Sequence, residues 1–359
     1  MVGPRVDWLA RPGVTAVAVQ EMVRCWVATP LAVDDYVEMI NPLWSRRAIN
    51  ARVVAITRQT REATTIRLQP GRRWTGFRPG QFVRVSLPVN GIRQTRCYSI
   101  CSATGAVNDC FEITVKAVAE GRVSPHLNSG VKLGDVVEIS EAEGAFTWGA
   151  TLPEKALFIS AGSGITPLMG MAREAARCGT LPNLVWLHYA PAASELIFAD
   201  ALAQLQHDHP QLHLQVIFTR LDGEHFSGRA LRRRCPDWQA RGAWACGPGA
   251  LLDAAEALWA ATPAQPLITE RFQAKAMTLG DPATGGTLTF SGSGHQAEAD
   301  GTTSILDAAE AAGLSPRYGC RMGICHGCTV SLKSGQVRDL RTGKAFGEEG
   351  DLIQICVCA

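Results

Sequence analysis

Between residues 48 and 148 apolar and polar positions alternate in short runs rich in Val, Ile and Thr: ARVVAITRQT, TTIRLQP, QFVRVSLPV, TRCYSICSA, CFEITVKAV and VVEIS. Turn signals separate them at Pro70-Gly71, Pro79-Gly80, Asn90-Gly91 and Gly134-Asp135. Several β-branched runs at this spacing predict a small antiparallel barrel. From 149 to 265 the period changes. ALFISAG, NLVWLHYA, LHLQVIFTR and AWAC are apolar strands, and TPLMGMAREAARCG, ELIFADALAQLQHD and ALLDAAEALWAA are helical. Strands alternating with helices predict a doubly wound parallel α/β sheet.

Residues 266–274 are expected to be a linker. The last unit, 275–359, begins with a hairpin-like MTLGDPATGGTLTFSG, continues in a helix SILDAAEAAG and ends in a cysteine-rich loop. Residues 1–47 form a mostly helical leader that ends at the turn signal Asn41-Pro42. Its apolar stretch, Val14 to Val33, is interrupted by Gln20, Glu21, Arg24 and Pro30. These argue against a membrane-spanning helix and, with Asp7 near the start, against a signal peptide, and leave room for an amphipathic helix lying on a surface.

A length of 359 residues suits two or three domains, and 46% hydrophobic with 19% charged residues suits packed ones. The net charge of +2 gives no reason to expect nucleic acid as a partner. Of 12 cysteines, Cys320, Cys325, Cys328, Cys356 and Cys358 fall in the last 40 residues. A chain of this length has no need of disulfide staples, so the clustering predicts a metal site in a reducing, cytoplasmic compartment.

Cys320, Cys325 and Cys328 stand in C-x₄-C-x₂-C order, with Cys356 further on. That is the plant-type [2Fe–2S] spacing: three thiolates from one tight loop and one from a distant strand. Structural zinc is the rival, but zinc sites usually pair two CxxC knuckles, and there is one here. His326 is expected to be a surface-loop residue. Cys358 competes with Cys356, since both would face one side of a strand. Cys356 is preferred because the apolar run Leu352–Ile355 precedes it.

Three further motifs carry chemistry. Arg96-Cys97-Tyr98-Ser99 lies on a barrel strand, with Arg96 and Tyr98 on one face and Ser99 on the other. Gly162 and Gly164 stand where ALFIS meets a helix beginning near Thr166 and Pro167, where small residues let a pyrophosphate reach backbone N–H groups. Cys246-Gly247-Pro248-Gly249 ends the strand AWA; its bland reading is a turn with a buried thiol.

Taken in order, Arg96-Cys97-Tyr98-Ser99, Gly121-Arg122-Val123-Ser124, Ala161 to Pro167, Cys246 to Gly249 and the cysteine loop make the chain resemble the ferredoxin–NADP⁺ reductase-like flavoproteins fused to a C-terminal ferredoxin. The resemblance implies an FAD-binding antiparallel β-barrel, an NAD(P)-binding domain and a β-grasp ferredoxin domain. It implies that Arg96 neutralises the flavin pyrophosphate, Tyr98 packs on the flavin ring and Ser99 hydrogen-bonds near its N5. Gly121 and Ser124 would meet phosphates, which favours FAD, although some fused relatives use FMN. Gly162, Gly164, Thr166 and Pro167 would cradle the pyridine nucleotide. Gly247 would reach the nicotinamide, with Cys246 close to the hydride path. Cys356 is the fourth cluster ligand on this resemblance too.

NADPH is expected over NADH, with Arg220 as the residue for its 2′-phosphate and Arg229 as an alternative. Electrons then run from NAD(P)H to FAD to [2Fe–2S] and on to a protein acceptor. The leader, with Val33-Asp34-Asp35-Tyr36 and Asn41-Pro42-Leu43-Trp44, resembles reductases that serve membrane diiron fatty-acid desaturases. This implies a desaturase or hydroxylase as partner and peripheral contact with the inner membrane face. The alternatives are reductase of a soluble Rieske-type oxygenase and a cluster-bearing redox sensor. The family usually continues for several residues past the position of Ala359 as a final strand.

Overall fold

The computed structural model of the protein describes residues 33–89, 92–118, 123–272, 285–319, 321, 323 and 326–359. The alternating runs form six strands: β1 (Ile49–Arg58), β2 (Ala63–Pro70), β3 (Phe82–Val89), β4 (Ile92–Ser99), β5 (Phe111–Lys116) and β6 (Val136–Ile139). They pair antiparallel in the order β4-β3-β6-β1-β2-β5. A bridge between Ile100 and Ile113 brings the end of β4 round to β5 and nearly closes the barrel. Every second residue points inward, so Val53, Ile66, Leu68, Val83, Val85, Ile113 and Val115 fill it. Between Val53 and Ala55 the register of β1 slips in a bulge that bends the strand.

The leader is helical over α1 (Val33–Ile40), and a single turn, Pro42–Trp44, follows. Residues 1–32, with most of the apolar stretch, lie outside the described residues. The end of the leader is part of the barrel. Leu43 is buried, its carbonyl accepts from Arg72 N–H at 3.2 Å, and Asn50 Nδ2 donates to the Pro42 carbonyl at 2.9 Å. Gly71 permits this contact: a Cβ there would lie 2.3 Å from the Leu43 carbonyl oxygen.

After α2 (Val123–Ser129) and β6 the chain enters the parallel sheet: β7 (Lys155–Ala161), β8 (Asn183–Ala190), β9 (Leu212–Phe218), β10 (Gly242–Cys246) and β11 (Leu267–Glu270), in the order β11-β10-β7-β8-β9. Helices α3 (Ile165–Arg177), α4 (Ala199–Asp208), α5 (Thr219–Asp222), α6 (Gly228–Arg234) and α7 (Gly249–Ala260) connect them. Strands covered on both faces read as continuous apolar runs. In β7, Phe158 joins one core with Trp186, Trp244 and Leu168, while Leu157 and Ile159 join the other with Leu187, Trp238 and Leu252.

Two sequence expectations are corrected here. The linker expected over 266–274 begins with a strand, because Leu267–Glu270 pairs in register with Ala243–Cys246 as the fifth strand of the sheet. Four residues are too few for periodicity to reveal. The final hairpin is β12 (Gly286–Phe290) with β13 (His295–Ala299), turning through residues 291–294 with Gly294 at φ +70°. Gly286–Phe290, from the end of the expected hairpin segment, pairs with a strand beyond that segment, whose residues 277–284 lie outside the described residues.

Helix α8 (Ile305–Ala311) follows, its N-terminus capped by the Ser304 hydroxyl accepting from Asp307 N–H at 3.1 Å. Two more antiparallel pairs complete the unit: β14 (Thr329–Ser331) with β17 (Leu352–Gln354), and β15 (Val337–Arg338) with β16 (Ala345–Phe346). Ile305, Leu306, Val337, Ile353, Ile355 and Val357 form its core. Among the described residues no helix is long and apolar enough to cross a membrane.

Gly71→Ala should force the leader turn off the barrel. Overpacking of this kind costs about 1–3 kcal/mol, read as a lower midpoint for the barrel's unfolding transition.

Candidate functional site

In an open parallel sheet, ligands bind where the strand order reverses, outside the carboxyl ends of the strands. Here that point lies between β7 and β10. The turns leaving the two strands touch: a Cβ on Gly164 would lie 2.1 Å from the Cys246 carbonyl oxygen and 2.7 Å from Gly247 N. Gly162 has φ +53°, a left-handed conformation that side chains disfavour. The Thr166 hydroxyl donates to the Ser163 carbonyl at 2.9 Å, and Thr166 and Pro167 are buried in the first turn of α3. Gly162, Gly164, Thr166, Pro167 and Gly247 are thus gathered at one edge.

The barrel meets this edge through Ser99, the last residue of β4. Its hydroxyl donates to Oε2 of Glu270 at 3.3 Å, and Glu270 ends β11 in register with Cys246. A barrel hydroxyl, a carboxyl and a thiol from neighbouring strands therefore stand together. Burial pushes the Glu270 carboxyl up to about 8, against the opposing effect of the Ser99 hydrogen bond. Burial, with Glu270 adding to it, raises the Cys246 thiol well above its ordinary value, which favours the protonated form. Sequence reasoning missed Glu270. The available signal was LITE, an apolar start with a carboxylate at the end, just after a helix of the βαβ series.

Arg96 and Tyr98 lie three and one residues before Ser99 on the same strand. Tyr98 packs against the barrel core. Arg96 is half-buried, and burial lowers its guanidinium from the ordinary value. It donates to the Thr95 carbonyl at 2.8 Å and lies over the ring of Tyr318, and no carboxylate of the described residues is within ion-pair distance. A partly buried cation held by carbonyls and a ring fits an anionic phosphate. The Ser124 hydroxyl accepts from Val118 N–H at 3.1 Å. Gly121 lies outside the described residues.

In the C-terminal unit, the Sγ atoms of Cys328 and Cys356 are 3.2 Å apart, and both residues are buried. Two thiols at this separation in an apolar wall are a donor pair suited to a thiolate-bound cluster. Cys320 and Cys325 lie outside the described residues. The expectation that Cys356 and Cys358 share a strand face is corrected: β17 ends at Gln354, and Val357 N–H bonds back to the Gln354 carbonyl in a turn. Cys356 thereby faces Cys328. Cys358 bridges to Asp339, and its carbonyl accepts from Ile305 N–H at 2.8 Å. His326 is exposed, with Nδ1 3.2 Å from Gln354 Nε2.

Arg220 follows β9, where its N–H donates to the Pro191 carbonyl, so it borders the loop after β8. Its guanidinium is paired with Glu195 of that loop. His188 turns inward, with Nδ1 2.8 Å from the Ser160 hydroxyl that also accepts from Trp186 Nε1; burial drops its imidazole to about 3.

Residues 51–148 match the family described as oxidoreductase FAD-binding domain, and residues 288–359 the 2Fe-2S iron-sulfur cluster binding domain. An NADPH oxidoreductase of Mycobacterium tuberculosis is 41% identical over 338 residues, covering 93% of this chain and 88% of its own. The ferredoxin reductase component of a 3-ketosteroid-9-alpha-monooxygenase from the same organism is 32% identical, covering 73% and 76%. Among solved structures, phthalate dioxygenase reductase shares the fold with a TM-score of 0.59 at 24% identity, over 87% of this chain and 95% of that one. The chain belongs to the ferredoxin reductase-like flavoproteins with a C-terminal [2Fe–2S] domain, and is an NAD(P)H-dependent oxidoreductase that uses FAD and an iron–sulfur cluster.

Proposed function

We propose that this protein is the reductase component of a soluble multicomponent oxygenase, drawing on NADPH. The contact that carries the reading is Ser99 with Glu270 beside Cys246, since it joins the flavin strand of the barrel to the coenzyme edge of the sheet. FAD held there would supply an acceptor for hydride and a donor of single electrons, which a [2Fe–2S] cluster can accept. Arg96 would hold the flavin pyrophosphate, Tyr98 its ring and Gly121 with Ser124 its phosphates. Gly162, Gly164, Thr166, Pro167 and Gly247 would hold the pyridine nucleotide, and Cys320, Cys325, Cys328 and Cys356 the cluster. Buried and uncharged, Cys246 shapes the hydride site without bonding to it.

NADPH is favoured by the name of the 41%-identical relative and by Arg220 at the end of β9. The Glu195 carboxylate must yield that guanidinium for a 2′-phosphate to use it. The oxygenase acceptor is favoured by the 32%-identical monooxygenase component. A second reading, a membrane diiron desaturase or hydroxylase, rests on the leader. Tyr36, Met39 and Ile40 of α1 are exposed, immediately after the apolar stretch of the sequence.

Glu270 sets the state of Ser99. While protonated it can donate to the Ser99 oxygen, leaving the Ser99 proton for another acceptor; once ionised it can only accept, and takes that proton's hydrogen bond. With the carboxyl at about 8, kcat/KM for NADPH should fall as pH rises through that value. Glu270→Gln, which cannot ionise, should flatten the fall. An unchanged profile in the variant would remove Glu270 from this role.

Purified protein should carry about two irons per chain, as one [2Fe–2S] cluster requires. Cys356→Ser should lose the iron while Cys358→Ser keeps it; the opposite result would exchange the ligands. Cys320→Ser should lose the cluster and keep NADPH–ferricyanide activity.

Deletion of residues 1–32 leaves the Leu43 contact with the barrel intact and tests the acceptor. A soluble oxygenase partner predicts full cytochrome c reduction and full support of a purified Rieske-type oxygenase. A membrane partner predicts full cytochrome c reduction with a drop in NADPH-driven desaturation by membranes.

A further inference from the structure

The ring of Tyr318 meets two guanidinium groups: Arg96 of the flavin barrel, with Cζ 4.1 Å from the ring centroid, and Arg321 of the cysteine loop, at 4.3 Å. Two cations at one ring would repel each other unless one were neutralised. Arg321 is: it pairs with Asp307 at 3.0 Å and Glu310 at 2.6 Å, both on α8. The ring is thereby anchored in its own domain while it meets Arg96 of the barrel. Arg96 Nη1 also lies 3.5 Å from the carbonyl oxygens of Tyr318 and Gly319. Gly319 immediately precedes Cys320.

We propose that Tyr318 is the residue that docks the cluster loop on the flavin barrel, through the same Arg96 that anchors the flavin. Tyr318 is thus a positioning residue for electron transfer between the two domains. It rests on the assignment of Arg96 and Cys320 to the cofactors. Each transfer moves one electron, oxidising the flavin by one and reducing the cluster by one, and its rate falls steeply with separation. A ring held at the flavin's own arginine and two residues from a cluster ligand ties that separation to both sites. The ring face carries the contact with Arg96, while the hydroxyl meets Arg321 within the C-terminal unit, which sets the variants.

The experiment uses the full-length holoprotein as wild type, Tyr318→Phe and Tyr318→Leu. Leucine keeps apolar bulk without a π face; phenylalanine keeps the face. Iron and flavin contents, NADPH–ferricyanide activity, the rate of cluster reduction after anaerobic mixing with NADPH, and the radius of gyration from small-angle scattering are measured on each. Tyr318→Leu should keep iron, flavin and ferricyanide activity, slow cluster reduction by roughly tenfold or more, as misplaced partners do, and enlarge the radius of gyration. Tyr318→Phe should match wild type in all of these. Normal cluster reduction in Tyr318→Leu would overturn the proposal. So would equal slowing in both variants, or loss of iron from Tyr318→Leu, because the side chain would then be building the cluster loop. Failure of the underlying cofactor assignment is distinguishable, since wild type itself would then lack flavin, iron or ferricyanide activity.

Discussion

Everything in this molecule depends on bringing the end of one barrel strand to the carboxyl edge of a parallel sheet. Ser99 and Glu270 mark that junction. A hydrogen bond between them would be unremarked on a surface, but here it joins two domains at a place sheltered enough to keep a carboxyl protonated near neutrality. The junction is supported elsewhere. Glu174 of α3 accepts from both the N–H and the hydroxyl of Thr104, five residues past Ser99, and Arg173 donates to the Cys101 carbonyl. Trp148, at the barrel exit, stacks on Phe158 and meets Trp244 edge-on, and its Nε1 donates to the Met171 carbonyl. The strand that carries Arg96, Tyr98 and Ser99 is therefore fixed relative to the turns at Gly164 and Gly247.

Much of this was legible in the sequence, because the patterns with a physical period are long ones. Alternation in β1 to β5 and the apolar runs of β7 and β8 define their elements before any contact is known. Gly164 was legible as a glycine at a strand-to-helix turn, but its packing reason was not: the carbonyl it must clear belongs to Cys246, some eighty residues away. Glu270 was hidden for a related reason. Its strand is four residues long, is preceded by Pro266, and takes its identity from pairing with β10 rather than from its own composition. The choice between Cys356 and Cys358 also needed three dimensions, since it turns on the chain leaving β17 at Gln354. Strand alternation would have put both thiols on one side.

The leader shows how far a sequence resemblance can carry. Its apolar content was legible and suggested a surface role, yet its last residues are structural: Leu43 is buried, and Asn50 and Arg72 bond to the turn around it. The burial of Leu43 is thus accounted for by the barrel alone. The exposed Met39 and Ile40 are not accounted for in that way.

The C-terminal unit bears on how the domains find each other. From Lys275 on, it has seven Lys and Arg against nine Asp and Glu, a weak field for steering. Much of even that charge is used internally: Asp307 and Glu310 on Arg321, and Asp339 on Arg341. A tethered domain needs little steering, because the covalent connection supplies a high local concentration. What it does need is a contact that selects one orientation once encounter occurs. A ring stacked on a guanidinium is directional and short in range, and it tolerates salt better than an exposed ion pair does. The pairing of Arg321 with two carboxylates makes this work, since without it the second arginine would repel the first. Charge within the domain is therefore arranged to leave the ring of Tyr318 available to Arg96, and a fused reductase can dispense with the acidic surface that a freely diffusing ferredoxin relies on.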